Sequence, residues 1–159
     1  MFEEKTFESV GKELKGISST TMANHYKLYQ GYVKKSNEIL EKLTTVDRDP
    51  AKSNQVFSEL RELKVELSFA IGGVKNHETY FGHLGGKGGE PTGKVLDLIA
   101  RDFESFEAWK DDMKATGIAA RGWVWLAYDW TTGKLFNYIG DAQNSYPIWD
   151  CHTLVALDV

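Results

Sequence analysis

The chain has 159 residues, 42% hydrophobic and 26% charged, with 23 acidic against 19 basic side chains and a net charge of −4. That length suits one domain or two closely joined subdomains, and an acidic balance with no basic block excludes a general nucleic-acid or anionic-membrane role. A lone Cys151 excludes a disulfide framework within one chain and fits a reducing, cytoplasmic setting; no apolar run reaches membrane-spanning length, and the start, Met1-Phe-Glu-Glu-Lys5, is too polar for a signal peptide.

The first half reads as two helices. Ser18 to Thr21 offers capping residues before a segment with Met22, Leu28, Tyr32, Ile39, Leu40 and Leu43, broadly one apolar stripe. Asp49-Pro50 is a helix start, with an acceptor at the cap and proline in the first turn. Val56, Leu60, Leu63, Leu67, Ile71 and Val74 then recur at three- and four-residue steps, which predicts one long helix from there to about His77–Phe81. Joined by Thr44–Asp49, the two make an antiparallel hairpin.

Gly85-Gly-Lys-Gly-Gly-Glu-Pro-Thr-Gly93 separates the halves. Gly88, Gly93 and Lys94 fit the spacing of a phosphate loop, but Val95 stands where a hydroxyl should bind magnesium, and the preceding element reads as helix rather than strand. The segment is therefore read as a linker between subdomains 1–84 and 85–159. Two shorter helices follow, one with Val95, Leu98, Ile99 and Phe103, the other after Ser105 with Phe106, Trp109 and Met113, ended by Gly117. Trp123, Trp125 and Ala127 alternate with Val124, Leu126 and Tyr128 as a strand, Thr131-Thr-Gly133 turns the chain, and Lys134–Ile139 returns. Leu154–Asp158 is a third strand.

Three residues carry candidate chemistry. His25 and His77 lie in apolar helical patterns, and Asp158 ends a short apolar run, as a buried strand would end to present a ligand. Two imidazoles and a carboxylate from distant elements suit a borderline divalent metal. His83 and His152 lie in loop-like sequence and are read as surface residues, and nothing beside Cys151 activates its thiol. The aromatic run Trp123–Trp130 lacks interleaved basic residues, so it is read as sheet core rather than a base-stacking platform.

From Ile17 onward the motifs resemble the iron/manganese superoxide dismutase family. Ile17-Ser-Ser-Thr-Thr21-Met-Ala-Asn-His25-Tyr is similar to its first-helix motif, and Asn76-His77-Glu-Thr-Tyr80-Phe81 to its Asn-His-x-x-Tyr-Trp motif, with Phe for Trp. Gly88–Gly93, Arg101–Phe106 and Gly122–Leu126 resemble its interdomain loop, helix and aromatic strand, and Leu157-Asp158-Val159 the start of Asp-x-Trp-Glu-His-Ala. The resemblance implies an α+β fold: an N-terminal helical hairpin, then helices with a three-stranded antiparallel sheet. It further implies an iron or manganese ion held by His25, His77 and Asp158, with Tyr32 at the substrate funnel. Trp123 and Trp125 would form an apolar wall, superoxide anion would be the substrate, and the assembly a homodimer or higher homo-oligomer.

Departures from the family pattern set further expectations. The Trp-Glu-His segment, with a fourth ligand, a dimer contact and the last helices, would lie past Val159. His25 precedes Tyr32 by seven residues, one fewer than in the family, so alignment from Tyr32 puts Asn24 in the ligand slot; such a change is how a π-bulge is gained or lost. His25 is kept as the ligand because asparagine is a poor donor for this metal class. Leu28, Tyr29 or Gln30 stands where the family has extra histidines, and Gly73 and Ala142 where it offers a solvent-binding Gln or His, with Gln143 adjacent. These departures leave a second reading, a non-catalytic structural or assembly protein that keeps the fold.

Overall fold

The computed structural model describes residues 1–144 and 150–159, and they divide into two compact units, Met1–Glu78 and Thr79–Val159. In the first unit, helix α1 spans Ser19–Thr45, a single 3-10 turn spans Pro50–Lys52, and helix α2, Glu59–Gly82, runs from this unit into the next. Ser18 caps α1 by accepting from the Thr21 amide at 3.1 Å, one of the four amides a helix start leaves without an intrahelical partner. The hairpin closes where Ile39, Leu43 and Ala70 are buried together, with Val46, Leu60, Leu63 and Leu67 packed against them.

Two sequence expectations change here. The buried stripe of α1 is Met22, Tyr29, Val33, Ser36, Ile39 and Leu43, whereas Leu28 is 60% exposed. Steps of seven, four and three residues keep the true stripe on one helix face, and Leu28 lies about 100° off it. Asp49-Pro50 does start a helical turn, with the Asp49 carboxylate accepting from Ala51 N at 2.9 Å, but the turn stops at Lys52. Asn54 Oδ1 takes the amides of Val56 and Phe57 (2.7 and 3.2 Å), and Arg61 Nε donates to Gln55 O (2.7 Å). These local bonds compete with helical ones and delay α2 to Glu59. Val56, expected on the stripe, is 80% exposed.

The N-terminal segment is strapped onto the hairpin. Asn37 exchanges two hydrogen bonds with the Phe2 backbone (2.8 and 2.9 Å), and Lys5 N donates to the Tyr29 hydroxyl at 2.9 Å. That hydroxyl donates in turn to Glu78 at 3.1 Å. Burial, with the Glu78 charge beside it, pushes the Tyr29 phenol up to about 12 against the opposing Lys5 amide bond.

In the second unit, α3 (Lys94–Phe103) and α4 (Phe106–Ala119) precede a sheet of β1 (Trp123–Asp129), β2 (Lys134–Gly140) and β3 (Cys151–Asp158). All pairings are antiparallel in the order β2-β1-β3. Central β1 is buried on both faces from Trp123 to Ala127. On one face Leu126 and Leu135 are buried with Ile99 of α3, with Leu98, Phe103, Trp109, Tyr128, Leu154 and Val155 around them. Asp102 fastens α3 to β2, its carboxylate accepting from Arg101 and from Leu135 N at 2.7 Å. Ser105 caps α4, which runs past Gly117 to Ala119. Gly117 is thus not the terminator, and a Cβ there would make only ordinary contact with Val124, at 3.4 Å.

Candidate metal centre

His77 lies in the last two turns of α2 and is 1% exposed. Its Nδ1 is 2.7 Å from the carbonyl oxygen of Gly73, one helical turn back. A carbonyl can only accept, so Nδ1 carries the proton and donates. The lone pair is therefore on Nε2, and a neutral imidazole oriented through its other nitrogen is the form that ligates metals.

His25, half-buried on α1, sets its ring edge-on to that of His77, with centroids 4.9 Å apart and planes at 83°. Asn24, the competing residue for this place, is exposed, and α1 is α-helical throughout with no π-turn. The seven-residue step from His25 to Tyr32 is two ordinary turns, which puts both side chains over the same face. The Tyr32 ring lies 5.3 Å from the His77 ring, tilted by 36°. It also rests directly on Gly73, where an added Cβ would fall 2.5 Å from ring carbons. Gly73 therefore does two things: its carbonyl orients His77 and its missing side chain seats Tyr32.

In the second unit, β1 and β3 bring another set to one sheet face. Trp123 stands opposite Asp158 and Trp125 opposite Ala156, so these four share a face. The two indoles stack at 6.4 Å with planes 9° apart, and Trp125 continues to Tyr138 at 4.9 Å. A Cβ on Gly140 would overlap the Trp125 ring, so this glycine makes room for the wall. Tyr80, from the last turn of α2, is buried edge-on against Trp123 at 6.3 Å. Burial first, and the Asp158 carboxylate second, raise its phenol above the ordinary tyrosine value.

Sequence reasoning named His25, His77, Tyr32, Trp123, Trp125 and Asp158 but gave no role to Tyr80, to the Gly73 carbonyl or to Gly140. Tyr80 was readable as a helical residue one turn past His77. The other two act through backbone and empty space, which carry no side-chain signal.

Residues 15–85 match the family model described as iron/manganese superoxide dismutases, alpha-hairpin domain, and residues 91–159 match that of the C-terminal domain. The chain is 42% identical over 151 residues to a Superoxide dismutase [Fe] of Aquifex aeolicus, covering 92% of this chain and 70% of that protein. It belongs to the iron/manganese superoxide dismutase family. A Superoxide dismutase [Fe] of Aquifex pyrophilus is 41% identical with the same coverage. A Superoxide dismutase [Mn] 2 of Haloferax volcanii is 33% identical over 145 residues, 90% of this chain and 70% of that protein.

The donor set fits the metals of the dismutase family. Neutral imidazole suits iron and manganese alike, carboxylate oxygen suits the harder of their oxidation states, and the Nδ1–carbonyl bond of His77 is the outer support such ligands carry. Gly73 lies under Tyr32, and Gln143 is half-buried in the turn after β2. No helix among the described residues is long and apolar enough to cross a membrane.

Proposed function

We propose that this protein disproportionates superoxide, with His25, His77 and Asp158 holding an iron or manganese ion. The observation that carries the reading is His77, buried and set by the Gly73 carbonyl in its metal-binding tautomer beside the His25 ring, in a chain of this family. The three side chains are two imidazoles and one carboxylate of a kind able to hold a metal ion. When bound, the ion supplies a one-electron couple, so that one superoxide is oxidised to oxygen and a second is reduced and leaves, with two protons, as hydrogen peroxide.

The chain's own residues bind, orient and exclude. His77 offers a fixed nitrogen at no cost in ring rotation, and His25 a second nitrogen from the other helix of the hairpin. Tyr32, packed on His77, brings a phenol hydroxyl to which a small anion or a water can hydrogen-bond. Trp123 and Trp125 form a stacked apolar wall on the sheet face that carries Asp158. Such a wall limits water around a charged substrate and strengthens electrostatic attraction to it.

The same reading sets the protein in a reducing cytoplasm, where Cys151 stays a thiol, as a homodimer or higher homo-oligomer. Exposed Leu28, Ile118 and Trp130 offer apolar surface for association, which light scattering measures directly. The functional test is reconstitution with Fe2+ or Mn2+ alone, followed by metal analysis and a superoxide-consumption assay. Metal-dependent turnover is expected. A protein that holds a full equivalent of either ion and consumes no superoxide would instead support the non-catalytic reading, which the bare Gly73 position favours.

A further inference from the structure

His83 is the first residue after α2 and stands well exposed, yet its ring is not idle. Its Nε2 lies 3.0 Å from the carbonyl oxygen and 3.3 Å from the amide nitrogen of Ala156, in β3. Ala156 is fully buried, and among the described residues β3 is an edge strand paired with β1 alone. In an antiparallel ladder successive residues turn their backbone groups to opposite edges. Val159 N bonds Gly122 O at 2.9 Å on the β1 side, so Ala156, three residues earlier, faces the open edge. A buried amide and carbonyl there need a partner, and His83 supplies it. With the proton on Nε2 the ring donates to the Ala156 oxygen; with the proton on Nδ1 it accepts from the Ala156 amide. Either neutral form holds the strand.

We propose that His83 is a positioning residue for the metal site: it clasps β3 two residues before Asp158 and fixes where the strand delivers that carboxylate. The inference rests on the ligand assignment above. Asp158 is then held from both sides, by the Val159–Gly122 bond on the ladder edge and by the His83–Ala156 contact on the open edge. Two strand residues span only about 6.6 Å, so a strand released at Ala156 lets the carboxylate swing. His83 also follows His77 by six residues along one chain, so the clasp ties the segment that bears one ligand to the strand that bears another. Its sequence reading as a plain surface residue holds for exposure and misses this contact.

The test uses the full chain and Mn2+ alone. Affinity is measured by competition with a metal-binding dye for the unchanged protein, His83→Ala, His83→Gln and His77→Ala, with the thermal midpoint of each metal-free protein and the Mn2+ electron paramagnetic resonance line shape. His83→Ala should lose about tenfold in affinity, the low end for outer ligand supports, and broaden the line shape. His83→Gln, with an amide donor and acceptor, should restore most of both. If His83→Ala is not recovered folded, His83→Phe, which fills the space without a polar atom, replaces it. Unchanged affinity and line shape in His83→Ala would overturn the proposal, as would a loss that His83→Gln fails to rescue. Retention of Mn2+ by His77→Ala at the unchanged protein's affinity would instead refute the ligand assignment, and the positioning role with it.

Discussion

Gly73 is buried within α2 under the ring of Tyr32, and alanine in its place tests that packing directly. An added Cβ would lie 2.5 Å from two Tyr32 ring carbons and 2.8 Å from a third. Carbon atoms in contact prefer about 3.5–4.0 Å, so the ring must retreat by about 1 Å or more. Forced repacking of this kind costs about 1–3 kcal/mol. Against it stands the gain from replacing glycine inside a helix, about 0.8–1.0 kcal/mol. Gly73→Ala should therefore destabilise by roughly 0–2 kcal/mol, a fall in the thermal midpoint of up to about 8 °C at about 2–4 °C per kcal/mol. In a Tyr32→Ala background the obstacle is gone and only the helix gain remains, so there the same substitution should stabilise by about 1 kcal/mol. Chemical denaturation of the four proteins of this cycle gives the coupling. A Gly73→Ala protein that is stabilised with Tyr32 present, or an equal effect in both backgrounds, would show that the ring does not rest on Gly73. Because the Gly73 carbonyl is untouched, the bond that orients His77 should survive, so metal content should persist while turnover shifts with the displaced Tyr32 ring.

The remaining expectations concern the ligands and the fold. His77→Ala and His25→Ala should each abolish metal content and superoxide consumption, while Asn24→Ala should leave the metal in place; metal analysis of the three decides between adjacent residues. Tyr32→Phe should keep the metal and alter turnover, because it removes one hydroxyl and leaves the ring on Gly73, and steady-state kinetics beside metal analysis separates the two. Asp102, hydrogen-bonded to Arg101 and to Leu135 N, is held below the usual carboxylate pKa, first by the Arg101 bond and against the pull of burial. A depressed carboxylate contributes stability that is present above its unfolded pKa and lost as pH falls through its folded value. Asp102→Ala should cost about 1–3 kcal/mol at pH 7 and flatten the acid limb of the stability profile, read by denaturation across pH. An unaltered acid limb would show that the bond contributes nothing to it.

The one-dimensional sequence by itself determined the elements whose signals are local. Ser18 and Ser105 cap helices because a side-chain oxygen two or three residues before an amide needs no tertiary partner to find it. Thr131-Thr-Gly133 turns the chain because Asp129 accepts from Thr131 N and Thr132 Oγ, while Gly133 takes a φ of +67°. The motifs around His25, His77 and Asp158 singled out the side chains proposed as ligands, since donor chemistry is carried by side-chain identity. The same locality misled at Asp49-Pro50, where a true helical start gave way to the competing local bonds of Asn54 and Arg61. Only the tertiary structure decided which of Leu28 and Tyr29 turns inward, that Tyr32 settles on Gly73, and that an exposed His83 reaches the backbone of Ala156. Each of these depends on the shape another element leaves, a bare Cα or an open strand edge, and such shape is set by chain brought together from far away rather than by the residues next door.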